Sequence, residues 1–174
     1  MRSRARMPGG HHVRRPRGER GDIQLRRGLR AERAHRRRLS AVEMATDFAT
    51  LALTWKPNQF LLLPPGFKAQ AKAHAESPAF ARTPDQVLDA LKRVALAEPR
   101  TTVLAEDRPK RQLALVQKSK IFRFPDFIDA EAVPLADGRT GLAIYSRAKF
   151  GIRDFGVNRA RIERWLAALK RELT

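Results

Sequence analysis

At Pro99 the apolar residues of this chain change their period, and that change constrains the fold more than any other feature. Before it, Thr83-Pro84-Asp85-Gln86 is a capping box with proline at the first helical position. Val87, Leu88, Leu91, Val94 and Ala95 then form one apolar stripe, which predicts a helix running to about Glu98, where the proline stops it. After it, Thr101 to Glu106, Gln112 to Ser119, Ile128 to Leu135 and Thr140 to Arg147 are short segments rich in branched and apolar residues. Asp107-Arg108-Pro109 and Asp137-Gly138 supply turn chemistry between them. Strands joined by short turns pair antiparallel, so the expected fold is α+β. It is an antiparallel meander of about four strands, with a helix before it and a C-terminal helix covering one face. Pro134 cannot donate to a ladder, which places the third strand at an edge or on a bulge. Phe60 to Leu63, ahead of Pro64-Pro65, reads as a lead-in packed on the core. Phe122, Phe124 and Phe127 read as an aromatic plug at the end of the sheet.

The polar residues concentrate in one place. Between Ile144 and Leu166 the chain crowds Ser146, Arg147, Asp154, Asn158, Arg159 and Arg161 around Gly151 and Gly156. This run joins the last strand to a helix whose Ile162, Trp165, Leu166 and Leu169 recur at one-face spacing. Two readings of the corner stand side by side. Arg147, Arg153 and Arg159, with the N–H groups and dipole of the helix start, could hold a carboxylate or phosphate. Alternatively Arg147 pairs with Asp154, with Asn158 one turn beyond, and the corner only stabilises the fold; Asp154 or Asn158 would also cap the helix. Arg161, Arg164, Lys170 and Arg171 read as the solvated face of that helix.

Catalytic arrangements are poorly represented. A nucleophilic Ser146 needs a base, and outside the first 43 residues the sequence offers only His74, read as a surface residue; His11, His12 and His35 precede it. Asp126, Asp129, Glu131, Asp137 and Asp154 show no metal-ligand spacing, and Gly151 and Gly156 lack the lysine of a phosphate loop. Neither a metal nor a cofactor is implied.

The corner resembles the signature of a bacterial family catalogued as domain of unknown function 1499: Ser-Arg-Ser, then Gly, Asp, Gly, Asn and Arg at fixed spacings. The resemblance extends to Lys56-Pro57-Asn58-Gln59-Phe60, to Leu63-Pro64-Pro65-Gly66, to the helix start at Thr83, and to Ile121-Phe122-Arg123-Phe124-Pro125-Asp126. It spans residues 56 to 169 and implies an uncharacterised domain with no assigned reaction. Pro57, Asn58, Phe124, Pro125 and Asp126 are the positions it adds to the corner. The chain departs from the pattern at Ala148, where the family carries a second serine, and at Gln59, where many members carry cysteine. No thiol or second-hydroxyl role therefore carries over.

The net charge of +18 suggests a nucleic-acid partner until it is divided by position. Residues 1 to 43 hold 14 arginines, no lysine and four acids, a net of +10; residues 44 to 174 carry +8. Such a tail lacks apolar periodicity and is expected to be disordered. An arm that neutralises phosphates by charge alone would use lysine as readily as arginine. The skew therefore favours translated upstream sequence before a start at Met44, with an arm that binds nucleic acid non-specifically as the alternative. Residues 44 to 174 are expected to form one domain. There is no cysteine, which excludes disulfides and thiolate chemistry, and no apolar run approaches the roughly 20 residues of a membrane span. The expectation is a soluble, cytoplasmic binding or accessory domain that takes a small anion at the corner or has no ligand there. A nucleic-acid-binding protein is the second class, and a hydrolase using Ser146 and Asp154 a distant third.

Overall fold

The computed structural model describes residues 46–174. The expectations of a disordered tail over residues 1 to 43 and of a start at Met44 lie outside the described residues. The elements run β1 (Gln59–Leu63), β2 (Ala75–Glu76), α1 (Pro84–Ala97), β3 (Thr101–Asp107), β4 (Gln112–Lys118), β5 (Pro125–Pro134), β6 (Thr140–Ala148) and α2 (Val157–Leu173). The fold is α+β: a six-stranded mixed sheet in the order β2-β1-β6-β5-β4-β3, with two helices.

Helix α1 begins as its capping box requires. Thr83 Oγ1 accepts from the Gln86 N–H at 3.3 Å, and Gln86 Oε1 accepts from the Thr83 N–H at 3.0 Å. Its buried Val87, Leu88, Leu91 and Ala95 join Ile162, Trp165 and Leu169 of α2 over one face of the sheet. Strands β3 to β6 form the expected antiparallel meander. The β5–β6 turn closes through Gly138, whose φ of 78° suits glycine, and Asp137 Oδ1 accepts from the Arg139 N–H at 3.0 Å.

Three expectations need correction. The Phe60 to Leu63 segment is a strand, not a lead-in: β1 pairs antiparallel with β6 and parallel with the two-residue β2, which makes six strands of the expected four. Its apolar run does not alternate with polar residues because both faces are covered. Phe60 and Leu62 pack under the helices, while Leu61 and Leu63 pack under the coil that contains Phe48, Leu51, Leu53 and Phe67. Pro134 does not make β5 an edge strand, since β5 lies between β6 and β4. The pairing with β4 ends at Glu131, so the proline sits beyond its neighbour's last ladder bond and withholds no donor. The third correction concerns the aromatics. Phe122 and Phe124 do not plug the sheet end; they lie exposed in the β4–β5 loop, and only Phe127 is partly covered. Gly141 of β6 is required by proximity, because a Cβ there would lie 2.4 Å from Cβ of Pro64.

Candidate functional site

Strand alternation divides the corner between the two faces of the sheet. On β6, Ile144 and Ser146 point toward the helices, whereas Tyr145 and Arg147 point away. Arg147 therefore cannot meet Asp154 at the start of α2. It pairs instead with Asp129 of β5, Nη1 to Oδ2 at 2.6 Å, and its guanidinium lies 5.0 Å from the ring centroid of Tyr145. Thr46 Oγ1 donates to the same Asp129 oxygen at 2.5 Å. The expected Arg147–Asp154 pair is thus replaced by Arg147–Asp129, a partner two positions along the neighbouring strand from Phe127, which faces Arg147 in the register.

The helix side of the corner is a closed hydrogen-bond knot centred on Arg161. This arginine is not on a solvated face: its side chain is 2% exposed. Its Nη2 donates to Asp126 Oδ2 of β5 at 2.5 Å, and its Nε to Gln117 Oε1 of β4 at 2.6 Å. Its Nη1 donates to Ser146 Oγ of β6 at 2.9 Å and to Asn158 Oδ1 at 2.8 Å. Ser146 Oγ donates in turn to Asn158 Oδ1 at 2.6 Å. One buried cation thus ties three neighbouring strands to the first turns of α2. Gln117 extends the knot, since its amide donates to Glu98 Oε2 at 2.8 Å and to Thr101 Oγ1 at 3.0 Å. Burial pushes the Glu98 carboxyl up, but the hydrogen bonds from Arg164 and Gln117 outweigh it and hold the group below its ordinary value.

The residue that caps α2 is Gly156, at φ 79°, and Asp154, two residues before it, supplies the side-chain acceptor for the helix start, whereas Asn158 lies inside the first turn. Its Oδ1 accepts from the Gly156 N–H at 3.0 Å and its Oδ2 from the Asn158 N–H at 2.9 Å, so a carboxylate of the chain itself meets the positive end of α2. Asn158 Nδ2 donates to the same Oδ2 at 2.6 Å and to the Asn58 carbonyl at 3.0 Å. Asn58 Nδ2 reaches across to the Gly151 carbonyl at 2.8 Å. The Pro-Asn box, the Phe-Pro-Asp box and the corner, far apart in sequence, therefore meet at one end of the sheet. Pro125 opens β5 and its carbonyl accepts from Lys149 N–H at 3.1 Å, while Phe124 stacks on Phe122 at 5.4 Å between ring centroids.

The three arginines of the expected anion site do not converge. Arg147 lies on the opposite face, Arg159 pairs with Glu163 at 2.7 Å, and Arg153 is exposed. Beside the corner is an open groove of about 310 Å³ lined by Pro57, Gln59, Phe60, His74, Asp154 and Arg159. His74 is exposed, as expected, with its Nδ1 accepting from the Leu61 N–H at 2.9 Å. No group of three or more metal-ligating side chains occurs among the described residues.

Sequence reasoning missed Arg161, Gln117 and Asp129. A signal existed for the first: Asn158, Arg161, Ile162, Trp165 and Leu169 follow the i, i+3, i+4, i+7, i+11 spacing of a single helix face. Arginine's charge argued the other way.

Fold and site define a class: an α+β domain with a mixed sheet, two helices on one face, and a buried polar knot where the last strand turns into the last helix. The chain belongs to the family described as protein of unknown function DUF1499, which matches residues 52–169. No curated protein matches the chain. Among the described residues no helix is long and apolar enough to cross a membrane.

The outer half of the corner carries a pH prediction. Burial raises the Tyr145 phenol above its ordinary 10.0; Arg147 pulls it down and Asp129 pushes it up, and the hydroxyl donates to Gln59 Oε1 at 2.6 Å. A folded-state pKa above the unfolded one contributes stability that is complete below about pH 10 and is lost as pH rises through the folded value. Tyr145 is the chain's one tyrosine, so phenolate absorbance reports it alone. The folded protein should titrate above the unfolded chain, and Arg147→Ala should raise the midpoint further. An unshifted midpoint in the folded protein would contradict this placement.

Proposed function

We propose that this is a binding or accessory domain whose polar corner is scaffold, and that the corner serves to hold two loops at the end of the sheet. The observation that carries this reading is the direction of the corner's hydrogen bonds. Ser146, Asn158 and Arg161 are buried, and each spends its polar atoms on the others or on Asp126, Gln117, Asn58 and Asp154. A nucleophilic serine must give its proton to a base; Ser146 gives it to an amide oxygen. A buried arginine ready for a ligand would leave donors free, whereas every nitrogen of Arg161 has a partner in the chain.

The loops leaving this knot, residues 119–124 and 149–156, are built the opposite way. They expose Ile121, Phe122, Phe124, Phe150, Ile152 and Phe155 to water. A domain that buries its polar residues and exposes its aromatics at one end is arranged for contact there. The nucleic-acid reading rests on the arginine tail, which lies outside the described residues.

The test has two readouts. Model carboxyl and phosphate esters should show no turnover that Ser146→Ala removes, and the apolar probe anilinonaphthalene sulfonate should brighten on the native protein and lose that signal in Phe122→Ser/Phe155→Ser at unchanged melting temperature. Ester turnover abolished by Ser146→Ala would overturn the reading.

A further inference from the structure

The two loops form one surface. The Lys149 N–H donates to the Pro125 carbonyl at 3.1 Å, and the rings of Phe124 and Phe150 lie 5.5 Å apart, so the β4–β5 and β6–α2 connections stand side by side. At their tips Phe155 is 94% exposed, Ile121 78% and Phe122 71%. Phe155 is also held at φ 52°, a left-handed conformation that a bulky side chain adopts at a cost, and its ring gains almost no packing in return. Arg123 in the neighbouring loop shares this conformation at φ 56°, and at Phe155 the packing of the domain itself gives nothing back for it.

Lys120, Arg123, Lys149 and Arg153 interleave with these apolar residues, and none of the four pairs with a carboxylate among the described residues. Asp154 is the single acid in either loop, and both of its oxygens are occupied at the helix start. The patch is therefore apolar at its tips and cationic throughout. This composition matches the boundary of an anionic bilayer, where apolar side chains enter below the headgroups and lysine or arginine meets the phosphates.

We propose that this end of the domain docks on an anionic lipid surface, with Ile121, Phe122, Ile152 and Phe155 entering the headgroup boundary. The inference rests on the reading of the corner as scaffold. A nucleic acid fits less well, because Ile121 and Ile152 have no ring face on which a base could stack, yet they stand among the exposed residues. A second copy fits less well too, since two such patches face to face would bring like charges together.

The experiment uses the full chain and reads the loop itself, because the arginines of residues 1 to 43 can hold any anionic vesicle by charge alone. Ile121→Trp in a Trp55→Phe background is mixed with phosphatidylcholine vesicles containing about 30% phosphatidylserine, and the emission of the Trp55→Phe parent, whose remaining Trp165 is buried in the core, is subtracted. The emission should shift to the blue and be quenched by brominated acyl chains, and neither change should occur with phosphatidylcholine alone. Phe122→Ser/Phe155→Ser should weaken vesicle binding about tenfold or more, and each of Lys149→Gln and Arg153→Gln about fivefold, with melting temperature unchanged. An unshifted emission on bound vesicles, with the serine variant binding like the wild type, would mean attachment by the tail and would overturn the proposal. So would emission protected by a single-stranded oligonucleotide but not by vesicles, or a dimer in gel filtration that the serine substitutions dissolve. In each of those cases the probe-dye and ester measurements still decide separately whether the corner is scaffold.

Discussion

Arg161→Ala is expected to destabilise the fold by about 3–5 kcal/mol, because it strands the buried Asp126 carboxylate and removes donors from Gln117, Ser146 and Asn158 at once. Asp126→Ala should cost a similar amount for the reciprocal reason: the guanidinium stays buried without its counter-ion. The double variant should lose clearly less than the sum, since neither charge then remains uncompensated. Denaturant unfolding of the two single variants and the double variant measures this. Arg147→Ala serves as a contrast, because its partner Asp129 keeps the hydroxyl of Thr46 and the guanidinium itself is about a quarter exposed, 27%. Additive losses in the Arg161/Asp126 cycle would mean that the pair is not a unit, and the account of the knot would fall.

Asn158 provides the second large effect, and here an isosteric change should be almost as harmful as truncation. Asn158→Ala leaves the Asn58 carbonyl, the Ser146 hydroxyl and one Arg161 N–H short of partners in the interior, at about 1–3 kcal/mol each where no water can enter. Asn158→Asp keeps the acceptor for Ser146 and Arg161. It removes both donors of the amide, however, and sets a second carboxylate where Nδ2 now lies 2.6 Å from Asp154 Oδ2. Both variants should therefore melt well below the wild type at neutral pH. Asn158→Asp should recover part of the difference as the pH falls and the added carboxyl protonates. An Asn158→Asp protein as stable as the wild type at pH 7 would mean that the two amide donors contribute nothing to the fold, and this account of Asn158 would fall.

Local patterning announced much of this fold. Helix α1 was readable to within a residue at each end because its signals are local: a capping box at Thr83, a stripe at Val87, Leu88 and Leu91, and a stop at Pro99. The meander was readable because its turns carry their own chemistry. Strand β1 was not, since Phe-Leu-Leu-Leu buried on both faces has no period of its own. What it pairs with depends on β6, more than eighty residues later.

The candidate site divides along the same line. That Ser146, Arg147, Asp154 and Asn158 belong to one corner follows from their proximity along the chain, and an acceptor for the helix start among Asp154 and Asn158 follows from their place beside it. Which arginine is buried does not follow from sequence, because a charged residue on a helix defaults to water unless a partner waits inside. Asp126, Gln117 and Ser146 become that partner only when β5, β4 and β6 lie side by side. Arg147 differs from Ser146 by one residue, and the pleat sends the two to opposite faces, where Asp129 rather than Asp154 is within reach. The exposure of Ile121, Phe122 and Phe155 was likewise decided by tertiary structure. Aromatic side chains are apolar wherever they stand, and only the packed sheet determines whether any core remains for them to fill. Local periodicity and turn chemistry thus specified most of the elements, while long-range strand pairing decided which polar groups neutralise one another and which apolar groups remain in water.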